Sequence, residues 1–276
     1  MAIRARCLPD GWYPLSGAEA GAKLDAWARL DEQTRIGGAV AAIAPHAGWY
    51  YSGRIAWSAW MSAGEADVVV IIGGHLPAGA DFRMYREDGF DTPFGAAPAD
   101  AELREVLARA VQVQGERGTD NTVEVHLPMA AHRFPGTPLV CLRAPNDERA
   151  ARLGSELADY QVSSGRRLFV LGSTDLTHYG KAYGFEPGGP APGGFAWAGR
   201  ANKDITDAFL AMDEAEAIRQ AELCGSACSV GAAVAAMSFA RRLGASVSRL
   251  VMRGSSDELA PGSDSSVGYC AVTYSR

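Results

Sequence analysis

Short apolar runs alternate along this chain with longer stretches whose apolar residues recur at helical spacing. Residues 38–44 are small and branched apolar side chains stopped by Pro45, and they read as a buried strand. Residues 67–72 form a second strand, rich in β-branched side chains that suit extended backbone and ended by Gly73-Gly74. Further strands are expected at 111–114, 138–143, 167–171, 247–253 and 267–274. Helical spacing marks 18–30, 52–62, 124–132, 148–164, 198–212, 213–223 and 226–243. Asp100 caps one more helix, to residue 110, because its carboxylate can accept from the free amides of a first turn. Residues 9–14 read as an irregular arm. Strands alternating with helices predict an α/β fold, a single domain over 1–276 whose mostly parallel or mixed central sheet is flanked by helices. The Pro- and Gly-rich segment 187–194 reads as a surface loop or pocket flap rather than a linker.

Charge narrows the choice of partner. The 32 acidic side chains outnumber the 26 basic ones, giving a net charge of −6 with no basic run to neutralise a series of phosphates, so nucleic acid is not expected as a partner. No apolar stretch is long enough to span a bilayer, so no membrane partner is expected either. The five cysteines are scattered and odd in number, which suits a reducing, cytoplasmic setting better than a disulfide framework. Nothing in the pattern sets an oligomeric state.

Candidate chemistry gathers where strands end, the edge at which an α/β sheet opens into its ligand crevice. His46 follows the first strand within Pro45-His46-Ala47-Gly48-Trp49-Tyr50-Tyr51-Ser52-Gly53, and His75 follows the second within Gly73-Gly74-His75-Leu76-Pro77. Asp175 and His178 follow the 167–171 strand, where the carboxylate can orient an imidazole that moves protons near neutral pH. Cys224 precedes the helix at 226–243 and Cys228 lies in its first turn, and a helix N-terminus favours thiolate. Of the two, Cys228 reads as a small buried helix residue. Trp49, Tyr50 and Tyr51 are candidates for a pocket wall, and Glu124, His126, Ser265 and Ser266 are further polar pocket candidates. The elbow of a serine hydrolase and the full phosphate-binding loop are both absent from the sequence.

These segments, together with Glu124-Val125-His126-Leu127-Pro128, Ser173-Thr174-Asp175-Leu176-Thr177-His178-Tyr179-Gly180, Cys224-Gly225 and Asp264-Ser265-Ser266-Val267, resemble the Memo family from the arm to the last strand. The resemblance implies a fold similar to class III extradiol ring-cleaving dioxygenases. It also implies that His46, His75 and Cys224 match the metal ligands, with Asp175 and His178 beside the metal. His178 then takes the acid/base position. The chain departs from the family form Gly-Pro-x-His in carrying Gly73-Gly74-His75.

Two imidazoles and a thiolate leave coordination positions open, as in a catalytic rather than a closed structural centre. The leading expectation is a non-haem Fe(II) oxidoreductase acting on a small organic substrate with dioxygen. A non-catalytic copper- or iron-handling protein and a zinc-dependent hydrolase are the alternatives, since Cu and Zn also suit such donors.

Overall fold

The computed structural model describes residues 2–31 and 37–276. In chain order the strands are β1 (Ile3–Arg4), β2 (Ala41–Ala44), β3 (Val68–Leu76), β4 (Phe82–Met84), β5 (Gly89–Phe90), β6 (Ala97–Pro98), β7 (Val113–Gly115), β8 (Leu139–Pro145), β9 (Leu168–Ser173), β10 (His178–Gly180), β11 (Val247–Ser255) and β12 (Ser265–Ser275). The helices are α1 (Gly17–Leu30), α2 (Gly53–Ser62), α3 (Ala101–Ala110), α4 (Asn121–Glu124), α5 (Leu127–Arg133), α6 (Arg149–Ser164), α7 (Phe195–Ala211), α8 (Glu214–Cys224) and α9 (Val230–Arg242).

The main sheet runs β10-β12-β2-β9-β3-β8-β4-β7, with β11 on the free edge of β12. Its centre, β2, β9, β3 and β8, is parallel. β12 and β4 pair antiparallel to that centre on either side, so the sheet is mixed. Alternate residues of each central strand serve opposite cores, since successive side chains point to opposite faces. Val70, Ile72, Val140 and Val170 pack on one side with α6 and α9. Val69, Ile71, Cys141 and Phe169 pack on the other with Trp57 and Trp60 of α2. Burial on both faces explains why these strands are unbroken apolar runs rather than alternating ones.

Asp100 caps α3 as the sequence implies, its carboxylate accepting from the Leu103 amide at 2.8 Å. Elsewhere the boundaries move. The expected helix at 124–132 is two pieces, α4 and α5, divided at Val125 and His126. β3 does not stop at Gly73-Gly74 but runs through them to Leu76, with a register irregularity against β8. The polar segment between β3 and residue 97, where no element is expected, contains β4 and β5. The last helix begins at Val230 rather than 226, which leaves Cys228 in the preceding loop.

Helix α9, Val-Gly-Ala-Ala-Val-Ala-Ala-Met-Ser-Phe-Ala-Arg-Arg, is buried from Val230 to Ala240 because its small side chains let it lie directly on the sheet. A Cβ on Gly231 would stand 1.9 Å from the Pro145 carbonyl oxygen, and one on Gly172 of β9 would stand 2.4 Å from that of Ala232. Backbone meets backbone at both points, so neither clash can be relieved by a side-chain rotation. Gly231→Ala is therefore expected to lower unfolding free energy by about 1–3 kcal/mol, the usual range for overpacking. Urea denaturation checks this, and unchanged stability would show that α9 can lift from the sheet without cost.

Candidate metal centre

The carboxyl ends of the parallel strands converge beneath the N-terminus of α9. β2 leads through Pro45 to His46, β3 carries His75, and β9 runs through Ser173 to Asp175. The His46 amide donates to Asp175 Oδ1 at 2.7 Å, which ties two strand ends together. Asn146, just past β8, clamps the approach to α9: its Nδ2 donates to the Cys228 carbonyl at 3.1 Å, and its Oδ1 accepts from the Gly231 amide at 3.2 Å. The Cys228 sulfur is thereby set 3.2 Å from His46 Nε2.

His46, His75 and Cys228 form a group with donor atoms all within 4.8 Å of one another, able to hold a metal ion. The two imidazoles meet edge to face, 5.0 Å apart. The sulfur in this group is Cys228, and this corrects the assignment of Cys224. Cys224 is the last residue of α8, at the carboxyl end of a helix where the unpaired groups are carbonyls, and Gly225 then turns the chain through left-handed backbone. Cys228, expected to be an inert helix residue, lies ahead of α9, where the amide end of the helix favours thiolate.

His75 sits at φ +58°, left-handed backbone that a non-glycine side chain adopts at a cost of roughly 1–3 kcal/mol. The two preceding glycines make the approach possible, because a Cβ on Gly73 would stand 2.1 Å from Thr122 Oγ1 and one on Gly74 would stand 2.2 Å from Ser229 Cβ. Ser229 Oγ accepts from the His75 amide at 3.2 Å. His75 Nδ1 faces Asp120 Oδ2 at 3.3 Å, and Arg143 holds Asp120 from behind at 3.3 Å. Asp120 escaped the sequence reading because Gly118-Thr119-Asp120-Asn121 has the composition of an ordinary turn.

Charge in this cluster is strongly coupled. Burial opposes ionisation of the Cys228 thiol, but the His46 charge and the neighbouring imidazoles of His178, His46 and His75 bring it well below its ordinary range. Burial likewise opposes protonation of the three histidines and is overcome. Asp120 and Cys228 raise His75 to about 10, and Asp175 and Cys228 raise His178 to about 9. His46 rises through Asp175 and Cys228. The common cause is a pocket of thiolate and carboxylates that demands positive charge. Two imidazole nitrogens and a thiolate directed at one point meet that demand equally well with a divalent cation, so the donor set fits a metal.

His75 lines a cavity of about 590 Å³ beside the group. Asp10, Gly11 and Trp12 of the arm form one wall, Tyr50, Tyr51 and Tyr183 the rim, and Asp175, His178, Ser265 and Tyr269 the far side. His178 Nε2 is buried without a hydrogen-bond partner, 3.7 Å from Asp175 Oδ2, and its ring lies against Tyr183. The other pocket candidates lie elsewhere. Trp49 is in the core and donates to the Val125 carbonyl. Ser266 Oγ bonds to Asp257, and His126 is buried behind His46. Glu124 accepts from the Cys7 and Leu8 amides and from the Tyr13 hydroxyl, at 2.8–3.1 Å, and so pins the arm that walls the cavity. The 187–194 loop contributes no lining residue. Tyr179 holds it away, accepting from the Gly188 amide and donating to the Gly189 carbonyl.

Fold and site together define a mixed α/β protein with a His/His/Cys group at the carboxyl edge of its parallel strands. A family model described as Memo-like protein matches residues 7–273, and the chain belongs to the Memo family. It is 30% identical over 241 residues to a MEMO1 family protein of Methanococcoides burtonii, covering 84% of this chain and 85% of that one. A MEMO1 family protein of Pyrobaculum aerophilum is 27% identical over 286 residues, covering 96% and 97% of the two chains. Among solved structures, an uncharacterized protein from Escherichia coli K12 shares the fold at a TM-score of 0.52 and 12% identity, over 84% of this chain and 98% of that one.

Three substitutions test the geometry. Cys228→Ser should weaken soft-metal binding by more than the roughly 10–100-fold usual for loss of an outer hydrogen-bond partner, and Asp120→Asn should fall within that range. Cys224→Ser should leave affinity unchanged. Metal competition assays and X-ray absorption on anaerobic protein read all three. Metal–sulfur scattering that survives in Cys228→Ser and vanishes in Cys224→Ser would reverse the assignment.

Proposed function

We propose that the protein is a metal-dependent oxidoreductase that holds non-haem iron(II) at His46, His75 and Cys228 and acts with dioxygen on a small organic substrate. The observation that carries this reading is the donor set itself: two imidazoles and a thiolate grouped at one point, with His75 lining a cavity large enough for a small organic molecule and Asp175 and His178 lining it as well. Iron(II) bound there supplies the one-electron chemistry by which dioxygen reacts with organic molecules. The protein's part is to bind, orient and move a proton. Tyr50, Tyr51 and Trp12 offer ring faces to a planar substrate, and Ser265 and Tyr269 offer hydroxyls beside them. No lysine or arginine lines the cavity among the described residues, which favours a hydroxylated over a phosphorylated substrate. His178, whose Nε2 has no partner of its own, exchanges a proton with a substrate hydroxyl, and Asp175 steadies the imidazolium. The expected likeness to class III extradiol dioxygenases supports the same assignment.

Copper handling without turnover is the second reading, and the thiolate favours it because sulfur prefers soft ions. All five cysteines are free, in keeping with a reducing, cytoplasmic setting, and no helix among the described residues is long and apolar enough to cross a membrane.

Anaerobic protein loaded with iron(II) is expected to bind about one ion per chain and to consume oxygen with an aromatic diol. His178→Gln should keep the iron and lose about 100- to 10,000-fold in rate, the usual contribution of a positioned acid or base. Oxygen electrode traces and elemental analysis decide the matter. Loaded protein that takes up no oxygen across a panel of diols, yet binds copper(I) far more tightly than iron(II), would replace this reading with the second.

A further inference from the structure

Behind His46, on the side away from the cavity, lies a line of buried polar groups that the proposed chemistry does not use. Trp60 Nε1 donates to His126 Nδ1 at 3.2 Å. His126 Nε2 faces Ser173 Oγ at 3.1 Å, and Ser173 Oγ faces His46 Nδ1 at 2.9 Å. Trp60, His126 and Ser173 are wholly buried and His46 is 1% exposed, so water does not complete these bonds. The three supporting residues come from α2, the α4–α5 junction and the end of β9.

The line has a direction. An indole nitrogen can only donate, so His126 Nδ1 must accept. Burial holds His126 neutral, its pKa lowered to about 3, so its one hydrogen is on Nε2 and is given to Ser173. The serine oxygen has two lone pairs, and His126 occupies one. His46 directs Nε2, not Nδ1, at the Cys228 sulfur. A neutral imidazole that coordinates through Nε2 must carry its hydrogen on Nδ1, where the partner is Ser173. The serine's second lone pair is the acceptor for it.

We infer that Ser173, oriented by His126 and Trp60, is a positioning residue that keeps the hydrogen of His46 on Nδ1 and so turns the Nε2 lone pair toward Cys228 and the cavity. The inference rests on the metal-centre reading above. It makes the supports of the two histidines different in kind. At Nδ1, His75 is backed by a carboxylate and, behind it, an arginine, whereas His46 is backed there by neutral groups, its carboxylate neighbour Asp175 lying on the Nε2 side at 3.9 Å. The neutral line holds a ring in register without adding negative charge to a cluster that already carries a thiolate and Asp175.

Cobalt(II) is the probe, because its affinity and its thiolate charge-transfer absorption are read without turnover. Ser173→Ala should weaken cobalt(II) binding by about 10–100-fold, the range for loss of an outer-shell partner. His126→Phe should weaken it in the same direction, and His126→Gln, which keeps an N–H toward Ser173, should recover part of the loss. In a His46→Ala background, Ser173→Ala should cost nothing further. Urea unfolding of the metal-free variants is measured alongside, since a merely structural serine would lower stability without touching affinity. Parent-like affinity in Ser173→Ala, or the same loss with and without His46, would overturn the inference. Should Ser173→Ala fail to fold, parent-like affinity in His126→Phe overturns it instead. A parent protein that binds no cobalt(II) at all would remove the metal-centre reading and this inference with it.

Discussion

The seating of α9 directly on the parallel strands is the constraint on which the rest depends. Its run of alanine and glycine carries too little side-chain volume to hold the helix off the sheet, and Gly172 and Gly231 remove the last atoms that would. Gly154 of α6 admits the outer side of the same helix, since a Cβ there would stand 2.2 Å from the Ala235 carbonyl oxygen. With both sides engaged, α9 has no freedom to slide or tilt. Its first turn is fixed over the strand ends, and helix packing delivers Cys228 to His46 together with the backbone bonds from Asn146 Nδ2 to the Cys228 carbonyl and from the Cys228 amide to the Asp175 carbonyl.

Charge then determines what such a geometry is good for. A buried thiolate beside a buried carboxylate is costly unless positive charge accompanies it. Protons on the histidines can supply that charge, and a metal ion can supply it instead. Asp120 and Arg143 carry the balance outward from His75 to the surface, so the cluster is not an isolated pair but one end of a chain of alternating charges. On the His46 side the chain is replaced by neutral hydrogen bonds that end in the core at Trp60.

The cavity is assembled from segments far apart in sequence, the arm among them. Residues 10–12 have no sheet partner. They are held by Glu124 through the flanking residues and by the Trp49 amide, which donates to the Trp12 carbonyl at 2.8 Å. A buried carboxylate and a backbone amide therefore fix one side of the pocket, and Glu124 does so without lining it.

The sequence by itself determined the α/β class, the central strands and the cap of α3, because apolar runs and capping residues act over a few neighbours. It also marked His46, His75, Asp175 and His178 as strand-end residues, since each follows an apolar run directly. It pointed to Cys224 as the ligand and to Cys228 as a helix residue, where the structure groups Cys228 with His46 and His75. Both flank the same short loop, and the choice turns on whether the helix starts at 226 or 230, a matter of where the α9 backbone fits against Pro145 and Gly172. Nor could it distinguish the roles of Glu124 and His126, two apart in one motif. Glu124 turns toward the arm and His126 toward Ser173 because the chain bends between α4 and α5. Asp120, Ser173 and Trp60 gain their meaning only from partners 45 to 127 residues away. Contacts of that range are decided by how the layers pack, which tertiary structure alone specifies.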